Sequence, residues 1–277
     1  MTDIPNLTMN DGLTIPQLGF GVFQIPEDET QTAVSAALES GYRLIDTAQG
    51  YRNEEGVGAA IAASDLPRDE LFITTKLTNS EQGYDKTLKA FDESMRKLGI
   101  DVLDLFLVHW PLPMFDQYVD TWRAFEKLQA DGRIRSIGVS NFEIEHFERL
   151  FAETDVVPAV NQVELHPQFP QEELRAFHAE HGILTESWGP IGQGKGLLEN
   201  PHIVEVAQKK QRTPAQVVLR WHLQLGCVVI PKSVNPERIR ENIAIFDFEL
   251  DESDLKTIAQ VDTGERLGPD PKTFSMR

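Results

Sequence analysis

Residues 71–109 decide the fold. They read Leu71-Phe72-Ile73-Thr74-Thr75-Lys76-Leu77, then TNSEQG, then YDKTLKAFDESMRKLG from Tyr84 to Gly99. They end in Val102-Leu103-Asp104-Leu105-Phe106-Leu107-Val108-His109. The outer runs are apolar, rich in β-branched or aliphatic residues, and of strand length. The middle reads as a helix over 84–98 that stops at Gly99. A helix between two strands is the crossover that parallel neighbours require.

The same alternation extends both ways along the chain. Upstream, Leu7–Met9 and Leu13–Ile15 around Asn10-Asp11-Gly12 predict a hairpin. Gly19–Val22 and Arg43–Asp46 read as strands, each followed by a helix, over about 28–39 and 54–63. Downstream, helix 116–130 leads to strand Ile134–Val139, and helix 143–152 to strand Ala159–Val163. Helix 172–181 leads to strand Ile183–Trp188. Two helices, near 203–210 and 214–225, precede strand Cys227–Ile230, the second opened by Thr213-Pro214. Helices over 236–245 and 251–261 close the chain. Eight strand–helix units in about 250 residues match an α/β fold of the (β/α)8 TIM-barrel type, with the hairpin added. A doubly wound open sheet is the alternative, but no G-x-G-x-x-G follows an early strand. The units use up the length, so one domain over 1–277 is expected.

Composition narrows the function. Of 277 residues, 44 are Asp or Glu and 26 are Lys or Arg, giving a formal charge of −18. That surplus argues against general nucleic-acid binding and against docking on anionic membranes. No apolar run approaches a membrane span. The opening Met1-Thr2-Asp3-Ile4-Pro5 lacks the marks of a signal peptide, and Cys227 is the only cysteine. A cytoplasmic location is expected. Cys227 reads as a small core residue.

Barrel catalysts gather at the C-terminal ends of strands. Here those ends carry Asp46, Lys76, His109, Ser140-Asn141, Gln162, Trp188 and Lys232-Ser233. Each has a plain structural reading, as a cap, a surface lysine or a core histidine. Their joint placement around one mouth points to a site. Tyr51 can be an acid, with Lys76 as the cation that lowers its pKa and Asp46 orienting Lys76. His109 can polarise a carbonyl. No metal is needed, and His178 and His181 on one helix are not expected to bind one.

At these residues the sequence resembles the aldo-keto reductases, over nearly its whole length. The carriers are Gly41-Tyr42-Arg43-Leu44-Ile45-Asp46-Thr47-Ala48 with Tyr51 and Asn53–Gly58, then Ile137-Gly138-Val139-Ser140-Asn141-Phe142, then Ile230-Pro231-Lys232-Ser233 with Arg238 and Glu241-Asn242. The bacterial 2,5-diketo-D-gluconate reductases are similar also in the loop after Trp188. The resemblance implies NADPH-dependent reduction of aldehydes and ketones, with Asp46, Tyr51, Lys76 and His109 as the catalytic set. It implies that Tyr51 gives the proton, and that Ser140, Asn141 and Gln162 bind the nicotinamide carboxamide. Trp188 would stack on the ring, with Gly189, Ile191 and Gln193 along the pyrophosphate. Lys232, Ser233 and Arg238 would grip the 2′-phosphate beside Val234, and Glu241 and Asn242 the adenine.

Phe23, Gln49, Thr78 and Trp110 are expected to wall the substrate pocket. Thr78 stands where many relatives carry an aromatic residue, and the chain is short for the family. A shallow, open site without a long covering tail follows, favouring small or polar carbonyl compounds such as 2,5-diketo-D-gluconate, methylglyoxal or simple aldehydes. The resemblance favours a monomer. A non-catalytic nucleotide-binding subunit on the same barrel, or a phosphate-handling isomerase or aldolase using Lys76 as a Schiff base, remain as alternatives.

Overall fold

A computed structural model describes residues 4–277. Strands β1 (Asn6–Thr8) and β2 (Thr14–Pro16) form the expected hairpin, with Leu7 opposite Ile15. The barrel strands are β3 (Gly19–Gly21), β4 (Leu44–Asp46), β5 (Phe72–Leu77), β6 (Leu103–Val108), β7 (Ile134–Ser140), β8 (Val160–Glu164), β9 (Leu184–Trp188) and β10 (Val228–Val229). All are parallel and pair in chain order. Closure runs through β3 and β10: Val229 N donates to Gln17 O at 3.0 Å and Gly21 N to Pro231 O at 3.1 Å. That closure removes the open-sheet alternative.

The outer layer is α1 (Glu27–Ser40), α2 (Glu54–Ala63), α3 (Tyr84–Leu98), α4 (Tyr118–Ala130), α5 (Ile144–Glu153), α6 (Glu172–Glu180), α7 (Pro201–Lys210), α8 (Pro214–Gln224), α9 (Pro236–Ile243) and α10 (Glu252–Ala259). Local chemistry sets several ends. Glu27, Asp28 and Glu29 face the positive end of the α1 dipole. Thr213 and Gln216 form a reciprocal capping box at α8. The expected helix over 116–130 starts later, because Asp116 takes a φ of 55° after a short turn at Pro113–Phe115.

Three apolar clusters hold the barrel, one of them around Ile203, Val217 and Trp221 of α7 and α8. Another fills the space between sheet and helices, around Phe106, Trp122, Phe125 and Phe147. The third is the barrel interior, where Leu44, Leu105, Leu107, Val160 and Val228 meet Met9 and Ile15 of the hairpin segment. The hairpin therefore plugs the N-terminal end. A Cβ at Gly138 would fall 2.7 Å from Val160 O, so β7 and β8 approach closely only because this residue is glycine. Polar inward-facing groups are left for the opposite mouth.

Candidate functional site

The C-terminal mouth opens into a cavity of about 1410 Å³. At its floor Lys76 Nζ donates to Asp46 Oδ1 at 2.6 Å, to Thr47 O at 3.1 Å and to Tyr51 OH at 3.4 Å. Asp46 ends β4 and Lys76 lies in β5, so two neighbouring parallel strands bring the pair together. Tyr51 rides on the single turn Gln49–Tyr51 that follows β4. His109, just past β6, meets the Tyr51 ring edge-on with centroids 5.8 Å apart. The structure thus assembles Asp46, Tyr51, Lys76 and His109 in one place.

Burial governs their protonation. Desolvation alone would lower Lys76, but the Asp46 carboxylate, by its charge and its hydrogen bond, leads the acidic groups that outweigh it and hold the ammonium above its ordinary range. Burial pushes the Asp46 carboxyl up, against the pull of Lys76. The expectation that Lys76 lowers the Tyr51 pKa gives only the smaller of two opposing effects. Lys76 does act in that direction, yet burial is the larger effect and Tyr51 stays above its usual value. Tyr51 is a phenol that keeps its proton. Burial, and then Lys76, push the His109 imidazole down to about 3, so it is neutral at physiological pH.

The residues expected at the nicotinamide knit the mouth together. Ser140 Oγ donates to Gln162 O at 2.8 Å. Asn141, at a φ of 62°, donates through Nδ2 to His109 O at 2.9 Å and accepts Trp188 Nε1–H at 2.8 Å. Gln162 Nε2 donates to Asp46 Oδ2 at 2.8 Å. Trp188, Gly189, Ile191 and Gln193 line the cavity, as does Lys232. Ser233 and Val234 lie on the link from β10 to α9, half-buried and exposed in turn, and Arg238 is exposed in the first turn of α9. Neither Lys232 nor Arg238 pairs with a carboxylate among the described residues. Asn242 is buried, and Glu241 accepts the Thr213 hydroxyl at 2.6 Å. One Glu241 oxygen is thereby committed to tying α9 to the start of α8.

The residues expected at the pocket walls all border the cavity. Phe23 lies against Tyr51 with ring centroids 4.9 Å apart, and Thr78 and Trp110 line the cavity. Gln49 lines it too, but its amide is turned to the scaffold. Nε2 donates to Ala90 O and Ser94 Oγ, and Oε1 accepts Thr78 N–H. The expectation of an uncovered site is overturned. The tail after Gly264 returns across the mouth, and Leu267, Gly268, Phe274 and Arg277 line the cavity. Glu164 accepts the backbone N–H groups of Leu267 and Gly268, Arg266 pairs with Glu143, and Phe274 packs on Trp110 at 4.2 Å. A Cβ at Gly268 would fall 2.6 Å from Trp188 Cη2, so only glycine lets the tail lie this close.

Sequence reasoning missed Glu164 and Glu186. Both are buried carboxyl residues on inward faces of barrel strands. Glu186 sits two before Trp188, and period-two alternation along β9 was the signal that could have found it. His181 follows α6 as its C-cap, with Nδ1 against Phe177 O at 2.9 Å. His178 is a core residue held by Asn161 and Thr185. Burial pushes the Cys227 thiol up to about 11, leaving it inert.

The model of the aldo/keto reductase family matches residues 17–263. An aldo-keto reductase of Mycolicibacterium smegmatis is 59% identical over 271 residues, 98% of each chain. The methylglyoxal reductase DkgA of Salmonella typhimurium is 52% identical over 269 residues, 97% of each chain. A crystal structure of a Gox0644 mutant in complex with NADPH superposes with a TM-score of 0.95 at 52% identity, over 99% of this chain and all of that one.

Proposed function

Since the chain belongs to the aldo/keto reductase family, we propose that it reduces small or polar aldehydes and ketones, with Tyr51 as the proton donor. It is an NADPH-dependent oxidoreductase. Methylglyoxal, 2,5-diketo-D-gluconate and simple aldehydes are the proposed substrates, and relatives 52% identical are named methylglyoxal reductases. The observation that carries this reading is the Tyr51 hydroxyl, 3.4 Å from a lysine that is itself 2.6 Å from Asp46, at the floor of the cavity.

The residues present suit the cofactor. Lys232 and Arg238 are exposed cations, without a carboxylate partner among the described residues, on the rim of a strongly acidic chain, and a guanidinium fork suits a phosphate. Ser140, Asn141, Gln162 and Trp188 would hold the nicotinamide, and Gly189, Ile191 and Gln193 the pyrophosphate. Ser233 and Val234 would lie beside the 2′-phosphate, and Glu241 and Asn242 near the adenine. When bound, NADPH supplies a hydride to the carbonyl carbon.

The protein's own groups handle the oxygen. Neutral His109 donates an N–H to it and so polarises the carbonyl. Tyr51 transfers its proton to that oxygen as negative charge develops there. Lys76 faces the phenolate left behind, in a water-poor site where the attraction is strong. Asp46 keeps the lysine charged and aimed. Solvent restores the Tyr51 proton once the alcohol leaves. The whole chain, 1–277, is proposed to work as a single cytoplasmic domain and a monomer.

The test is NADPH absorbance at fixed protein with each carbonyl in turn. Oxidation that depends on the dicarbonyl supports the reading. Binding of NADPH without turnover of any carbonyl would instead favour the non-catalytic nucleotide-binding subunit.

A further inference from the structure

Glu186 is a fully buried acid that the chemistry above does not use. It stands opposite Gln162 in the β8–β9 register. Gln162 Nε2 donates to Glu186 Oε2 at 3.0 Å and to Asp46 Oδ2 at 2.8 Å. An amide nitrogen has two hydrogens, and these two acceptors take both. Both acceptors lie within 3.0 Å of Nε2, so turning the amide over would set Oε1 against the Asp46 carboxylate, and the nitrogen is held toward them with Oε1 away. Gln162 lines the cavity, and Oε1 has no donor among the described residues. What the cavity meets from this residue is an acceptor and no donor.

We infer that Glu186 is a positioning residue for the cofactor: by taking the second amide hydrogen of Gln162, it fixes Gln162 Oε1 as an acceptor for the –NH2 of a nicotinamide carboxamide. The inference rests on the NADPH-dependent reading above. With Asp46 alone, one Gln162 hydrogen would be free to swing toward the cavity and meet the carboxamide nitrogen donor to donor. A carboxylic acid serves at position 186 in either protonation state, because its carbonyl oxygen still accepts when the group is neutral. Burial, and then the charge of Asp46, push the Glu186 pKa up to about 8.

The experiment compares two ligands by titration calorimetry. NADPH carries the nicotinamide, and adenosine 2′,5′-bisphosphate carries only the phosphate end. Glu186→Leu should weaken NADPH about five- to tenfold, the loss of one hydrogen bond, and leave the bisphosphate within about twofold. Glu186→Gln keeps an acceptor oxygen at the same reach and should restore NADPH to within about twofold of the parent. If the leucine variant does not fold, Glu186→Thr takes its place. Threonine suits a strand, and its hydroxyl falls short of Gln162. An unchanged NADPH affinity in the Leu or Thr variant overturns the inference. So does an equal loss for both ligands, or a Gln variant as weak as the Leu one. A parent protein that binds the bisphosphate but not NADPH overturns the cofactor reading and the inference together.

Discussion

The two ends of the mouth are built in opposite ways. At the chemical end Asp46, Lys76, Gln162 and Glu186 are at most 2% exposed, and each is tied by hydrogen bonds within the protein. At the phosphate end Lys232, Val234 and Arg238 are exposed, and the two cations have no ion-pair partner among the described residues. Buried charges cost folding free energy unless paired, so the chemical end must be complete before any ligand arrives. Exposed cations cost nothing to leave waiting, and their pull on a phosphate is screened by salt. The chemical end should therefore answer to pH and to single-atom changes, and the phosphate end to ionic strength.

The sharpest test of that contrast removes one atom from the buried end. Tyr51→Phe deletes the donated proton but keeps the ring that packs on Phe23. It should lower kcat by about 10²–10⁴-fold, the usual scale of general acid catalysis. NADPH affinity, set largely at the other end, should stay within about twofold. Retained turnover would remove Tyr51 as the acid.

A second test uses pH. The folded-state pKa of Glu186 lies at about 8, above the unfolded value of 4.5. Between these values the native state binds the extra proton, so the contribution of Glu186 to stability is full below pH 4.5. It declines as pH rises to about 8, at up to roughly 1.4 kcal/mol per unit. Glu186→Gln has no proton to lose. Denaturant titrations should find its stability relative to the parent rising by a few kcal/mol from pH 5 to pH 8. A parallel pair of stability curves would mean that Glu186 is ionised in the native protein throughout.

The third test moves to the exposed end. Arg238→Ala should cost NADPH roughly 1.5–3 kcal/mol of binding, the range for a hydrogen bond to a charged group, and leave NADH nearly unaffected. Added salt should weaken NADPH in the parent more than in the variant. Equal losses for both cofactors would take the 2′-phosphate away from Arg238.

What the sequence could disclose follows the same divide. Strands and helices are periodic, so the barrel and most element limits were legible from apolar runs and from Gly41, Gly99 and Thr213. The last strand is shorter than its apolar run, two residues against four: Cys227 N–H is turned back to His222 O at one end, and Pro231, after Ile230 at the other, has no N–H to extend the ladder. Asp46, Lys76 and His109 were legible because strand ends are marked by where apolar runs stop. The direction of an amide is not marked in that way. Gln49 looked like a pocket wall, yet it bonds to α3. Glu241 looked free for adenine, yet one oxygen caps Thr213. Net protonation was also hidden, since the Lys76 charge could be foreseen at Tyr51 and the opposing burial could not. The tail was misread because its length was counted and its docking on Glu164 was not visible.

That tail gives the smallest expected effect, and the one that separates pocket from cofactor. Thr78 lines one wall of the cavity, while Trp110, under Phe274, lines another. With the tail down, the space for substrate is bounded on both sides, so added bulk at position 78 must be met by the substrate itself. Thr78→Trp should lower kcat/KM for a six-carbon sugar ketoacid by roughly tenfold relative to methylglyoxal, comparable to small size differences in other enzyme pockets. NADPH affinity should not change, because Thr78 touches neither the Gln162 cluster nor the Arg238 rim. Measured side by side, the two substrates decide the matter: if their ranking is unchanged, Thr78 is no part of the substrate wall, and selectivity must come from the side held by Trp110 and Phe274.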